Sequence, residues 1–213
     1  MADLYDCSDP DARAAGLDAA AAAIGRGELV LIPTDTVYGV AADAFTPSAV
    51  TALLAAKNRG RTMPVPVLIG TASTLAGLVV KPPAVANDLA EAFWPGGLTL
   101  VLEYAPSLAW DLGDAEGTVA VRLPDDEVAR DLLRRTGPLA VSSANRSGRP
   151  AATTAQKAVD QLGLHAAVVL DDGPREGSAA STIVDCTGPV PRVLRLGALS
   201  VERLREVVPE ITD

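Results

Sequence analysis

Short apolar runs alternate along this chain with stretches of helical pattern, and that alternation restricts the fold more than any other feature. LVLI, PVLIG, LTLVLE, TVAV, PLAV, AVVL, STIV and RVL read as strands. Between them, helical patterns are read over 10–24, 47–56, 71–79, 84–93, 125–135, 153–162 and 200–208. Asp9-Pro10 is a start signal, with Gly25 and Gly27 as the stop; Thr46 and Ser200 are read as caps for later helices. No repeat, heptad or low-complexity linker interrupts the order. The expectation is an α/β (mixed α+β) fold over 1–213, a single domain with a mixed parallel and antiparallel sheet flanked by helices.

With 48% hydrophobic residues but only two Trp, three Tyr and two Phe, the core must be aliphatic. No apolar run approaches the ~20 residues of a membrane span. The acidic N-terminus lacks the features of a secretory signal, so a cytoplasmic location is expected. Acidic residues outnumber basic ones 27 to 18, a net charge of −9, which argues against non-specific nucleic-acid binding. Cys7 and Cys186 fit no zinc or redox spacing. A single histidine, His165, excludes multi-histidine metal sites, and no metal ligand set is read. Neither a P-loop nor a GxGxxG fingerprint occurs.

Several strands end in polar clusters instead. VLIPTDTVYG delivers Thr34, Asp35, Thr36 and Tyr38; PLAVSSANRSG delivers Ser142, Ser143, Asn145 and Ser147; GSAASTIVD delivers Ser178, Ser181 and Thr182. Each cluster alone fits a local Asx or ST turn. Together they fit a ligand pocket beyond the strand ends. Lys57, Arg59 and Arg61 fall within five residues at a helix end, more cation than the helix dipole calls for. Arg122 and Arg195 sit in or beside apolar strands, where an anion such as a triphosphate would relieve the cost of burial.

PTDTVYG, KNR, VAVRLP, SSANRSGRP, STIVD and RVLRLG, in this order, resemble the YrdC family of threonylcarbamoyl-AMP synthases across about 16–208. The resemblance implies a YrdC-like fold and a nucleotidyltransferase that joins L-threonine, bicarbonate and ATP, with Mg2+, into L-threonylcarbamoyl-AMP and pyrophosphate. It implies that the product passes to a tRNA threonylcarbamoyl transferase complex for t6A modification, with direct tRNA contact not required. By the same resemblance Thr34, Tyr38, Arg122, Ser143 and Ser181 serve threonine. Lys57 and Arg59 are the catalytic cations, and Lys57, Arg59, Arg61, Thr118, Asn145, Thr153 and Arg195 serve the nucleotide. Two departures stand out: Gly60 follows Arg59 where the family has proline, and Leu68 stands where it has histidine. The rival readings are a double-stranded-RNA-binding or ribosome-maturation module and a carbamoyltransferase-type nucleotide-binding domain.

Overall fold

The computed structural model describes residues 2–176 and 179–213. Strand β1 (Asp3–Asp6) precedes α1 (Pro10–Gly25), which Asp9 caps by accepting from the Ala12 amide at 2.8 Å. The strand β2 (Leu29–Ile32) is buried along its whole length. Residues 33–38 then reverse the chain into β3 (Gly39–Asp43), which pairs antiparallel with β2 and which the sequence pattern did not mark as a separate strand. Next come α2 (Pro47–Lys57), which Asn58 ends in the left-handed region at φ 52°, and β4 (Val67–Leu68). The helix expected over 71–79 shrinks to one 3-10 turn, Ala72–Thr74, and the four residues of α3 (Leu75–Leu78). The remaining order is α4 (Ala84–Phe93), β5 (Leu98–Glu103), β6 (Thr118–Arg122), α5 (Glu127–Thr136) and β7 (Leu139–Ser143). It closes with α6 (Ala155–Leu162), β8 (Ala166–Asp171), β9 (Thr182–Asp185), β10 (Arg192–Arg195) and α7 (Val201–Arg205).

All ten strands join one sheet, in the order β1-β8-β2-β3-β7-β4-β6-β5-β9-β10. The pairs β1/β8, β2/β8, β4/β6 and β5/β9 run parallel, and the others antiparallel. Alternation along each strand sorts side chains to two faces. Leu31, Val40, Leu98, Leu100 and Val121 point to one face, in a core with Leu53 of α2, Leu89 of α4 and Leu162 of α6. Val30, Ile32, Ala41, Leu68 and Val141 point to the other, against Leu17, Ala20 and Ile24 of α1 and Leu132 and Leu133 of α5. On this second face α1 and α5 cover only part of the sheet. Where it continues over β6, β5 and β9 it presents Ala120, Arg122, Thr99, Val101 and Ile183, which floor a cavity. Gly39 lets β3 lie close to β7 there, since a Cβ at that position would stand 2.7 Å from Val141 Cγ1. Among the described residues no helix is long and apolar enough to cross a membrane.

Candidate functional site

The cavity encloses about 370 Å3. Its floor is the uncovered sheet, and its rim is built from the segments that leave the strand ends: 33–38, 59–66, 141–143 and 180–181. Among the described residues no Asp or Glu lines it, whereas the guanidinium-bearing Arg59, Arg122 and Arg195 all do. Burial pulls the pKa of each below the ordinary arginine range, and Arg195 depresses Arg59 further while Arg122 depresses Arg195. Three cations thus share one space in a protein of net charge −9.

Each guanidinium is aimed by neighbours. Arg122 donates Nη2 to Asp35 Oδ1 (2.5 Å), Nη1 to Thr36 Oγ1 (3.0 Å) and Nε to the Gly96 carbonyl (2.9 Å). Asp35 also accepts the Asp125 amide (3.0 Å), so one carboxylate ties the 33–38 turn to both β6 and the approach to α5. Arg59 donates to the carbonyls of Met63 and Pro64 and, through Nη1, to Ser142 Oγ (3.1 Å). Arg195 donates Nη2 to the Ser181 carbonyl (2.7 Å) and to Ser181 Oγ (3.2 Å). The turn carrying Ser181 is held against 197–199: Ala198 donates to the Ala180 carbonyl, and a Cβ on Gly197 would lie 2.0 Å from that same oxygen.

Of the residues singled out in the sequence, Thr34, Tyr38, Arg59, Thr118, Arg122, Ser143, Ser181 and Arg195 border this cavity. Lys57 and Asn145 lie just behind its wall. The Lys57 ammonium, 2% exposed, donates to the Ser143 carbonyl, the Asn145 carbonyl (2.7 Å) and Asn145 Oδ1 (3.5 Å). Burial, and secondarily Arg59, lower its pKa to about 8. Lys57 therefore grips the 143–145 turn from behind the cavity wall. Ser143 donates to Asn145 Oδ1 (2.5 Å), and Asn145 Nδ2 donates to the Arg149 carbonyl (2.8 Å), completing the clamp.

Three other expected site residues have protein partners away from the cavity interior. Arg61 leaves the group of cations: it is exposed and pairs with Asp111 (2.6 Å) and Asp114 (3.4 Å). Thr153 does not line the cavity; its hydroxyl accepts Lys157 Nζ (3.0 Å) and its carbonyl accepts the Arg175 amide (2.8 Å). Tyr38 borders the cavity, but its hydroxyl is spent on the far side, donating to the Gly173 carbonyl (2.7 Å) and accepting the Asp172 amide (3.1 Å). Burial pushes that phenol up to about 12. Ser178 lies outside the described residues. Thr182 is structural: its hydroxyl donates to the Leu199 carbonyl and accepts the amides of Gly197 and Leu199. His165 is exposed at the α6–β8 junction, remote from the cavity lining.

Sequence reasoning missed Thr99, buried at the cavity and bonded to Ser181 (2.7 Å). It also missed the apolar walls Pro64, Pro66, Val101, Ile183 and Leu194. The signal was there for Thr99: in LTLVLE it shares the outward phase with Val101, while Leu98, Leu100 and Leu102 face the core. Leu68, standing where a histidine was expected, gives the wall an apolar side chain.

The chain matches the family described as Sua5_yciO_yrdC, telomere recombination, over residues 22–197. A protein of Mycobacterium tuberculosis (strain ATCC 25618 / H37Rv), provisionally named as a threonylcarbamoyl-AMP synthase, is 57% identical over 208 residues, 98% of this chain and 96% of its own. The threonylcarbamoyl-AMP synthase of Bacillus subtilis is 37% identical over 194 residues, covering 90% of this chain and 56% of its own. The crystal structure of P. abyssi Sua5 complexed with L-threonine aligns with a TM-score of 0.91 at 33% identity, covering 100% of this chain. This chain spans 62% of the length of that longer one.

Proposed function

This chain belongs to the Sua5/YciO/YrdC family, and we propose that it is a threonylcarbamoyl-AMP synthase, a nucleotidyltransferase acting on L-threonine, bicarbonate and ATP. One observation carries the reading: Arg59, Arg122 and Arg195 converge on one cavity of about 370 Å3, within the range of small-molecule sites, that no Asp or Glu lines among the described residues. Two anions that repel each other in water have to meet in this reaction, and a fixed cluster of guanidiniums offsets that repulsion.

The threonine amine takes up bicarbonate to form a carbamate, with loss of water. A carbamate oxygen then attacks the α-phosphorus of ATP, and the bond from that phosphorus to the bridging oxygen of the β-phosphate breaks, releasing pyrophosphate. No protein nucleophile is required, so positioning and charge carry the catalysis. In this reading Arg122, held by Asp35 and Thr36, receives the threonine carboxylate. Arg59 and Arg195 meet the triphosphate, and the apolar strip of Val101, Ala120, Ile183 and Leu194 accepts the base. Lys57 acts one layer back, fixing the turn that presents Ser143.

ATP would bring Mg2+ bound to its own phosphates. Among the described residues no three His, Cys, Asp or Glu side chains gather to hold an ion. Bound so, it would supply further neutralisation of phosphate charge. The mixed anhydride formed is labile and calls for an acceptor, in this reading the adenosine of a tRNA handled by a separate threonylcarbamoyl transferase.

Pyrophosphate release measured with threonine, bicarbonate and ATP together, and with each omitted in turn, tests the proposal. Release should require all three; release without threonine would instead favour a carbamoyltransferase-type domain.

A further inference from the structure

The hydroxyl protons facing the cavity can be assigned one by one. Thr34 Oγ1 donates to the Val37 carbonyl (2.6 Å) and accepts the Thr36 and Val37 amides, so its proton is committed. In the Thr34–Thr36 contact (3.1 Å) Thr36 is left as the donor, onto an oxygen that already accepts two amides, while its own oxygen accepts Arg122 Nη1. Ser143 donates to Asn145 Oδ1, and Thr118 donates to the Ala115 carbonyl (2.7 Å). Thr34, Ser143 and Thr118 are thereby closed to a ligand as donors, and Thr36 keeps only a shared contact beside Arg122, where an anionic oxygen would take its proton.

Thr99 and Ser181 differ. They share a single contact of 2.7 Å between two hydroxyls, and either can donate. Ser181 Oγ also accepts Arg195 Nη2 (3.2 Å). Two protons and one mutual hydrogen bond leave one proton without a partner among the described residues, on a pair that is 2% and 7% exposed and lines the cavity. Ser142 has an uncommitted proton too, but it sits beside Arg59, where an anionic oxygen would take it. The Thr99–Ser181 pair is ambident: it can give a proton from Ser181 and take one on the free lone pairs of Thr99. Carboxylate and phosphate oxygens only accept, and the three arginines already serve them. A hydroxyl both donates and accepts, and the proposed ligands carry hydroxyls on the amino-acid side chain and on the ribose, which the separate threonine and ATP readouts below tell apart. A ligand placing a methylene there would leave the loose proton unpaired in a buried site, which is costly.

We infer that Thr99, through its bond to Ser181, selects the side-chain hydroxyl of the amino-acid substrate by closing a three-hydroxyl ring with it. This rests on the threonine reading above, and it assigns a specificity role to a residue of β5 that lies outside the cationic cluster.

The test compares L-threonine with L-2-aminobutyrate, which has the same carbon skeleton without the hydroxyl, in amino-acid-dependent pyrophosphate release. Thr99→Val should lower the preference for threonine, measured as the ratio of kcat/KM values, by about tenfold, the size of one hydrogen bond. The loss should appear in KM for threonine, with KM for ATP within about twofold of wild type. Thr99→Ser should restore the preference. Ser181→Ala serves as the second variant if thermal melting shows Thr99→Val to be unfolded, and it should lose the preference likewise. An unchanged threonine to 2-aminobutyrate ratio in a folded variant, or a loss falling equally on ATP, overturns the inference. Wild-type protein that releases pyrophosphate without any amino acid overturns the threonine reading itself.

Discussion

An ammonium group that is 2% exposed must find oxygen acceptors or give up its proton, and Lys57 does some of each. Its three acceptors all lie on Ser143 and Asn145, and its own carbonyl accepts the Ser147 amide, so a single residue clamps both ends of that turn. Lys57→Met should therefore cost about 2 kcal/mol, from acceptors left unpaired, as well as most of the activity. Because the folded pKa is near 8 and the ordinary value 10.5, the unfolded chain holds this proton more tightly between those limits. The burden of burying the charge is complete below about pH 8 and gone above 10.5. Wild type should thus gain stability relative to Lys57→Met as pH rises through that window, by up to ~1.4 kcal/mol per unit, in denaturant titrations on either side of pH 8. A difference independent of pH would contradict the burial argument. Asp35 is the partner that orients Arg122, so Asp35→Asn should weaken threonine binding about tenfold while leaving ATP binding close to wild type. Calorimetric titration would show it, and equal affinities would refute it. Arg122 and Arg195 were legible in the sequence because cations beside apolar strands demand an explanation, and Arg59 because it falls among three cations at one helix end. Arg61 was not separable from them, since its partners Asp111 and Asp114 lie about fifty positions away in the chain.

Among the elements, α5 joins the cavity to the rest of the sheet. Asp126 caps it by accepting the Ala129 amide (2.8 Å) and with its other oxygen accepts Arg175 Nη1 (3.0 Å). Arg175 in turn lies over the Tyr38 ring, 5.5 Å from its centre, and binds Asp172. Asparagine caps a helix about as well as aspartate, so Asp126→Asn removes only the ion pair while Asp126→Ala removes both roles. The expected order of stability is wild type, Asn, Ala, with about 1 kcal/mol separating the last two, read from urea midpoints. Equal midpoints for Asn and Ala would mean that the cap is idle. Asp9-Pro10 and Ser200 were legible in just this way, whereas Thr46, also read as a cap, donates its hydroxyl to Asp43 (2.6 Å) and makes no side-chain cap bond to α2. The 71–79 segment was not: Thr71 Oγ1 contacts Ser73 and Thr74 hydroxyls (2.9 and 3.0 Å), a local network that competes with helix propagation. Val79 then bridges to Tyr104 and ends the helix. Strand β1 was missed because DLYD is too short and too acidic to announce itself; its pairing with β8 makes it a strand.

For the protein entire, the interleaving of patterns indicated the class of fold, but the order of the ten strands depends on pairings between distant segments that no local pattern encodes. The charge balance was similarly half informative. It weighs against a broad polyanion-binding surface, yet it averages away a local cluster of three cations. The two contributions predict opposite salt effects on nucleotide binding. Repulsion from a net charge of −9 would be relieved by salt and strengthen binding, whereas attraction by the cavity would be screened. The short distances within the cavity should prevail, so the Kd for ATP should rise severalfold with added sodium chloride; a fall would assign the dominant role to net charge. The cavity walls run from Thr34 on the β2–β3 turn to Arg195 at the end of β10. A ribosome must therefore have translated nearly all of this sequence before the pocket can close, and a growing chain carrying everything through α6 still lacks the wall bearing Ser181 and Arg195. Nascent or truncated protein that ends before β9 therefore cannot present the complete cavity.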